Sequence, residues 1–235
     1  MGDPGRRVLL KHLSKVIQDH HIDLVVGNGE NAAGGFGITP DIAEELFDLG
    51  LSAITLGNHA WDKREALEYV QKEHRVIRPA NYPDGVPGKG TCIVETVHGE
   101  RLGILQLMGR VFMPMVDCPF RVAERELAQL TTHTHHILVD MHAETTSEKM
   151  AMGYFLDGKV SAVVGTHTHV QTADEQILPQ GTGYLTDVGM TGPVQSVIGM
   201  KPNLVIQKFL TQLPRKFEVA TGPSVLSAVV LDLNP

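Results

Sequence analysis

The 235-residue sequence is 42% hydrophobic and 20% charged, enough for one α/β domain with a sizeable core. Twenty-seven Asp and Glu against 20 Lys and Arg give a net charge of −7, and nothing in the sequence suggests a basic face for tracking along nucleic acid. Cys92 and Cys118 make no disulfide framework, no apolar run approaches the roughly 18 residues of a membrane span, and no signal-peptide pattern occurs, so the expectation is a soluble cytoplasmic protein.

Residues 4–20 read as a helix with Asp3 as N-cap and an apolar stripe through Val8, Leu9, Leu13 and Val16. IDLVVGN (22–28) reads as a short buried strand, and ENAAGGFGIT as a loop. PDIAEELFDLG follows as a helix with Thr39 at the N-cap, Pro40 at N1 and Gly50 at its end. A strand ending at Leu56 precedes the helix DKREALEYVQKEH. TCIVETVHGERLGILQLMG predicts a hairpin turning at His98-Gly99-Glu100. RVAERELAQL is helical, HILVDMHAE a strand, SEKMAMGYFLDG a helix and VSAVVGTHTHV a strand. GYLTDVGM predicts another strand and NLVIQKFLTQL a helix, with KFEVA and SVLSAVVLDL forming a terminal hairpin-like pair. No repeat or linker divides the chain, and the early β/α alternation mixed with later hairpins predicts one α/β domain over residues 1–235 with mixed sheets.

Four turns carry unusual polar groups, each just beyond a strand: GNGENAAGG (27–35), LGNHAWD (56–62), VDMHAE (139–144) and GTHTHV (165–170). The carboxyl ends of strands in an α/β sheet share an edge where ligands bind, so the four turns should converge. Their imidazoles, Asn amides and carboxylates, with no thiolate, are the donors of a catalytic Zn, Mn or Fe site rather than of a structural zinc knot. If strand geometry persists to the end of VVGTHTHV, His167 and His169 project to the same face. Each fragment alone has a plainer reading: a structural histidine, an Asn in a left-handed turn, a solvated loop acid. GNGENAAGG lacks the GxGxxG spacing of a dinucleotide loop, and neither a Walker sequence nor a GxSxG elbow occurs.

GNH together with GTHTH resembles the calcineurin-like metallophosphoesterases. GNGENAAGGFGIT, TLGNHAWD, RPANYP, LMGRVFM, HAETTSEK, VGTHTHVQTADE and TDVGMTGP are similar, over nearly the whole chain, to the bacterial YmdB-type branch. The resemblance implies a metallophosphoesterase sandwich of two mixed β-sheets flanked by helices. It further implies a dinuclear phosphodiesterase acting on small cyclic nucleotides such as 2′,3′-cyclic AMP. Two divalent or transition-metal ions (Fe, Mn or Zn) would hold the phosphodiester while an activated hydroxide attacks phosphorus in line. By the same resemblance Glu30 bridges both ions. Asn58, His142 and His167 complete one site, and His169 serves the other. Asn31 touches the site or the phosphate, and His59 is the catalytic acid rather than a ligand. Members of the branch begin with an apolar strand ending in Gly-Asp before a PGR segment, whereas MGDPGRR begins this sequence. The resemblance thus also implies either a start upstream of Met1 or an N-terminally short domain whose His169 ion lacks its aspartate. The alternative expectation is accordingly a weakened or inactive nucleotide-binding or regulatory protein on the same fold. Homo-oligomerisation is left open.

Overall fold

A computed structural model describes residues 1–233. The first third alternates helix and strand: α1 (Gly2–Asp19), β1 (Val26–Asn28), α2 (Pro40–Asp48), β2 (Ala53–Thr55), α3 (Arg64–Lys72) and β3 (Val76–Ile77). Helix α2 starts where its sequence says it should. Thr39 Oγ1 accepts the Ile42 N–H at 3.4 Å, and Pro40 sits where no intrahelical N–H is required. The three strands form a parallel sheet in the order β1-β2-β3, with Val26 opposite Ala53 and Ile54 opposite Val76.

The remainder contains β4 (Thr91–Glu95), β5 (Arg101–Met108), α4 (Pro119–Leu130), β6 (His136–His142), α5 (Thr146–Leu156), β7 (Ala162–Thr166), β8 (Gln176–Ile177), β9 (Gly183–Leu185), β10 (Gly192–Pro193), α6 (Pro202–Thr211) and β11 (Ser224–Val225). A six-stranded sheet runs β4-β5-β6-β7-β9-β8. The strands β5, β6, β7 and β9 are parallel, and the two outermost strands pair antiparallel. The 98–100 turn joins β4 to β5 as expected.

Strand periodicity sorts the core into layers, because alternate residues face opposite sides. Ile54 packs with Leu13, Leu46 and Val70 beneath helices α1 to α3, while its neighbour Ala53 faces the other way. Leu107, Val139 and Met141 pack beneath α4 and α5 with Val122, Leu127 and Met152. Ile104, Leu138 and Val164 turn inward to meet Ala53 and Ile77 between the sheets. The result is the helix–sheet–sheet–helix layering of the expected α/β sandwich. Among the described residues, no helix is long and apolar enough to cross a membrane.

Two local expectations fail. Asp3 does not cap α1: the helix begins two residues earlier than expected, Met1 occupies the cap position, and Asp3 pairs with Arg7 at 2.9 Å. The Gly2 N–H finds its acceptor in a distant loop, on the Asn31 carbonyl at 2.8 Å, so no side-chain cap is needed there. Nor do KFEVA and SVLSAVVLDL pair with each other. Val219 bridges to Met200, whereas Ser224–Val225 pairs with Gly192–Pro193, so each half finds its partner in the 192–201 segment that precedes α6. Beyond β11 the chain lays Val229, Leu231 and Leu233 against the inter-sheet core. The short strands β8 and β10 had no recognisable signal of their own.

Cys92, on β4 against the inter-sheet core, has its thiol pushed up to about 12 by burial and then by the Glu73 charge. A thiol reagent at pH 8 should therefore modify Cys118 in the folded protein and Cys92 only after denaturation. Two fast-reacting thiols in the native state would contradict this.

Candidate metal centre

The carboxyl ends of β1, β2, β6 and β7 lie at one edge of the paired sheets, with His142 opposite Thr166 and Asn28 opposite Thr55. The four polar turns therefore converge, as expected. Glu30, 2% exposed, places Oε1 3.1 Å from His142 Nε2 and accepts the His59 N–H at 3.0 Å. Asn58 Oδ1 lies 3.0 Å and His167 Nδ1 3.2 Å from the same His142 nitrogen. The ligating atoms of Glu30, His142 and His167 all lie within 4.8 Å of one another. Gly57 makes this closeness possible, since a Cβ there would collide with both the His142 ring and Glu30 Oε1.

Supporting hydrogen bonds orient the rings. Thr166 Oγ1 donates to Asp140 Oδ1 at 2.6 Å and so must accept from His142 Nδ1–H at 2.9 Å. That leaves His142 Nε2 to face the centre. Asp140 is itself 3% exposed, and its other oxygen receives Asn28 Nδ2 and Gln106 Nε2, each at 3.3 Å. His167 donates Nε2–H to Glu144 Oε2 at 3.0 Å and turns Nδ1 inward. Two ring nitrogens, an amide oxygen and a carboxylate oxygen thus meet around one point. With the rings neutral, such a set of acceptors is stable only around a positive charge.

The titration behaviour agrees. Burial would raise the Glu30 carboxyl, but the His142 charge and hydrogen bond, helped by the His59 N–H, hold it at about 2. Burial works against the His142 imidazolium, yet Glu30 raises it above the ordinary histidine value. A proton on His142 thus balances Glu30, and a metal ion entering the same place would displace it. Burial first, then the His142 charge, brings His167 down to about 4, leaving it neutral and able to ligate near pH 7. The residues fit a metal ion.

His169 belongs to a second grouping. Strand geometry ends at Thr166, and His167 and His169 both have left-handed backbones, with φ of 96° and 66°. The shared facing expected from strand alternation therefore does not occur, and the rings diverge. His169 donates Nδ1–H to the Ile198 carbonyl at 3.0 Å, which leaves Nε2 3.0 Å from Asn31 Oδ1. Asn31 Nδ2 donates to the Gly35 carbonyl at 3.0 Å, fixing that amide with its oxygen toward His169.

His59 adjoins the centre through its backbone, while its ring leans edge-on to Phe36 at 5.1 Å and places Nδ1 2.8 Å from Asp62 Oδ2. Among the described residues Nε2 has no hydrogen-bond partner. A cavity of about 980 Å³ meets Glu30, Asn31, His167 and His169 at one end, but most of it follows the space between the sheets as far as His98 and Arg101. The donors form only its end wall.

All seven site residues expected from sequence lie at this edge. Unexpected were Asp140, Thr166 and Glu144, which orient the ligating rings, and Asp62 behind His59. The available signal was Asp140 itself: an acid inside the apolar run ILVDM needs a polar partner. Glu144→Gln keeps an acceptor for His167 but removes its charge. Metal affinity, measured by chelator competition, should fall about 10-fold, the low end for such partners because Glu144 is half-exposed. Unchanged affinity would remove Glu144 from this role.

The YmdB-like protein family matches residues 1–235. A 2′,3′-cyclic-nucleotide 2′-phosphodiesterase from Bacillus subtilis (strain 168) is 46% identical over 234 residues, covering 100% of this chain and 88% of the relative. A putative phosphatase/phosphodiesterase of Mycoplasma genitalium is 35% identical over 241 residues, covering 99% of this chain and 84% of the relative. Among solved structures, a hypothetical protein from Thermus thermophilus superposes with a TM-score of 0.90 at 47% identity, covering 95% of this chain and 86% of that one. A novel phosphatase from Mycoplasma pneumoniae gives 0.88 at 35% identity, covering 95% and 81%.

Proposed function

The chain belongs to the YmdB-like protein family, and from that premise we propose that it is a metal-dependent phosphodiesterase hydrolysing small cyclic nucleotides such as 2′,3′-cyclic AMP. The observation that carries the reading is the meeting of Glu30, Asn58, His142 and His167 around one point, beside a histidine that ligates nothing. The proposed complement is two ions of Fe, Mn or Zn: Glu30, Asn58, His142 and His167 would hold one, His169 with Asn31 would hold the other, and Glu30 would serve both. When bound, such ions supply Lewis acidity, neutralising phosphate charge and easing the deprotonation of water.

The chain's own residues do the rest. Water adds to phosphorus and the bond from phosphorus to the ribose 2′ oxygen breaks. His59 delivers a proton to the departing oxygen, with Asp62 holding the imidazolium in place through Nδ1. Asp140, acting through Thr166, keeps His142 from turning away. One metallophosphoesterase domain over the whole chain and a reducing, cytoplasmic location, consistent with two free cysteines, complete the proposal.

A second reading, nucleotide binding without turnover, is favoured by one observation. Among the described residues, the cluster of three His or carboxylate ligands comprises Glu30, His142 and His167, and His169 stands outside it. The deciding experiment loads metal-stripped protein with Mn, Fe or Zn, counts ions per chain and follows conversion of 2′,3′-cyclic AMP to 3′-AMP. Two ions and turnover are expected; one ion with binding and no turnover would favour the second reading.

A further inference from the structure

Two fully buried charges near the centre have no part in the chemistry above. Lys149 on α5 and Asp187, two residues beyond β9, are each 1% exposed, and Lys149 Nζ lies 2.7 Å from Asp187 Oδ2. Asp187 Oδ2 also accepts the Thr168 N–H at 3.2 Å and the Thr168 hydroxyl at 2.8 Å. Its Oδ1 accepts the Gly189 N–H at 2.8 Å. The backbone of Asp187 then grips the far end of the same turn, donating N–H to Thr172 Oγ1 at 2.9 Å and accepting the Thr172 N–H at 3.1 Å. Thr168 is the residue between His167 and His169.

We propose that the buried Lys149–Asp187 pair is the positioning device that aims His167 and His169 at their separate ions. It rests on the metal-centre reading above. Both histidines stand in left-handed backbone, which side-chain-bearing residues adopt uncommonly. Asp187 does the holding, through the one residue that both share as a neighbour. Lys149 ties this turn to α5, the element that follows His142 and Glu144, so donors from β6 and β7 are set against each other. The sequence makes room for it: at Gly165 a Cβ would sit 2.8 Å from Lys149 Cδ and collide with the Thr186 carbonyl. The attraction between the two charges gives no sufficient stability reason for Lys149. Replacing a buried ion pair by apolar residues of the same shape is commonly neutral or stabilising.

That contrast supplies the test. In the full chain, Lys149→Met with Asp187→Leu keeps volume and removes both charges. The metal-free double variant should melt lower than the wild type, because the Thr168 and Gly189 N–H groups lose their acceptor, and its native fold is checked by circular dichroism before metal is added. Its affinity for Co(II) or Zn(II), from chelator competition, should fall about 10–100-fold, and the visible bands of the Co(II) protein should shift. A folded double variant with wild-type affinity and wild-type bands overturns the proposal. Should that variant fail to fold, Thr168→Val, which deletes only the hydroxyl donor, decides: about 10-fold weaker binding supports the clamp and unchanged binding overturns it. If the wild type itself binds neither ion, the metal-centre reading falls, and this inference falls with it.

Discussion

Glu30→Gln is expected to strip the protein of tightly held metal and, with it, of hydrolysis. The carboxylate is 2% exposed and stays ionised down to about pH 2 through His142 and the His59 N–H, so its charge is available to a cation across the working range. Glutamine preserves the volume and an acceptor for the His59 N–H. It replaces the charge with an amide whose N–H₂ would donate to the inward nitrogen of His142, filling the lone pair meant for an ion. Affinity should therefore fall by more than the roughly 10–100-fold seen when only an outer partner of a ligand is lost. Metal content by mass spectrometry and turnover of 2′,3′-cyclic AMP are the paired measurements. A variant retaining both would sink the assignment of Glu30. The metal-free wild type should also show a distinct acid limb. Because the folded carboxyl is depressed from 4.5 to about 2, its stabilising contribution is complete above pH 4.5 and lost as pH falls through about 2. Glu30→Gln should lack that limb.

His59→Ala should separate chemistry from metal binding. The ring touches Asp62 and Phe36, while the contact with Glu30 is made by the backbone N–H, which alanine keeps. Ion content should be unchanged, and kcat on 2′,3′-cyclic AMP should fall about 100–10,000-fold, the usual range for a lost general acid. A p-nitrophenyl phosphodiester, whose leaving group needs no proton, should lose far less. Equal losses on both substrates would mean that His59 orients Asn58 or the phosphate instead of protonating the leaving oxygen. Loss of metal would place it among the ligands.

Much of this protein is set by interactions that stay close in sequence. Thr39-Pro40 starts a helix because its cap bond closes within three residues, and the 98–100 turn pairs its flanking strands because the loop is short. The convergence of the four polar turns was legible for a related reason, while the family resemblance singled out the residues within them. Each turn lies at the end of a strand, and parallel strands deliver their carboxyl ends to one edge whatever surrounds them.

Only the tertiary structure could decide what depends on distant partners. His167 and His169 part company because the backbone turns left-handed at both, held by Asp187 from the far side of β9. The inward nitrogens of His142 and His167 are chosen by Thr166 and Glu144, and that of His169 by the Ile198 carbonyl. The terminal segments found strand partners in the 192–201 segment instead of each other. Sequence periodicity records which face a residue shares with its near neighbours. It carries no record of which hydrogen-bond partner arrives from another part of the chain, and here that partner is what brings four polar turns into one candidate metal centre.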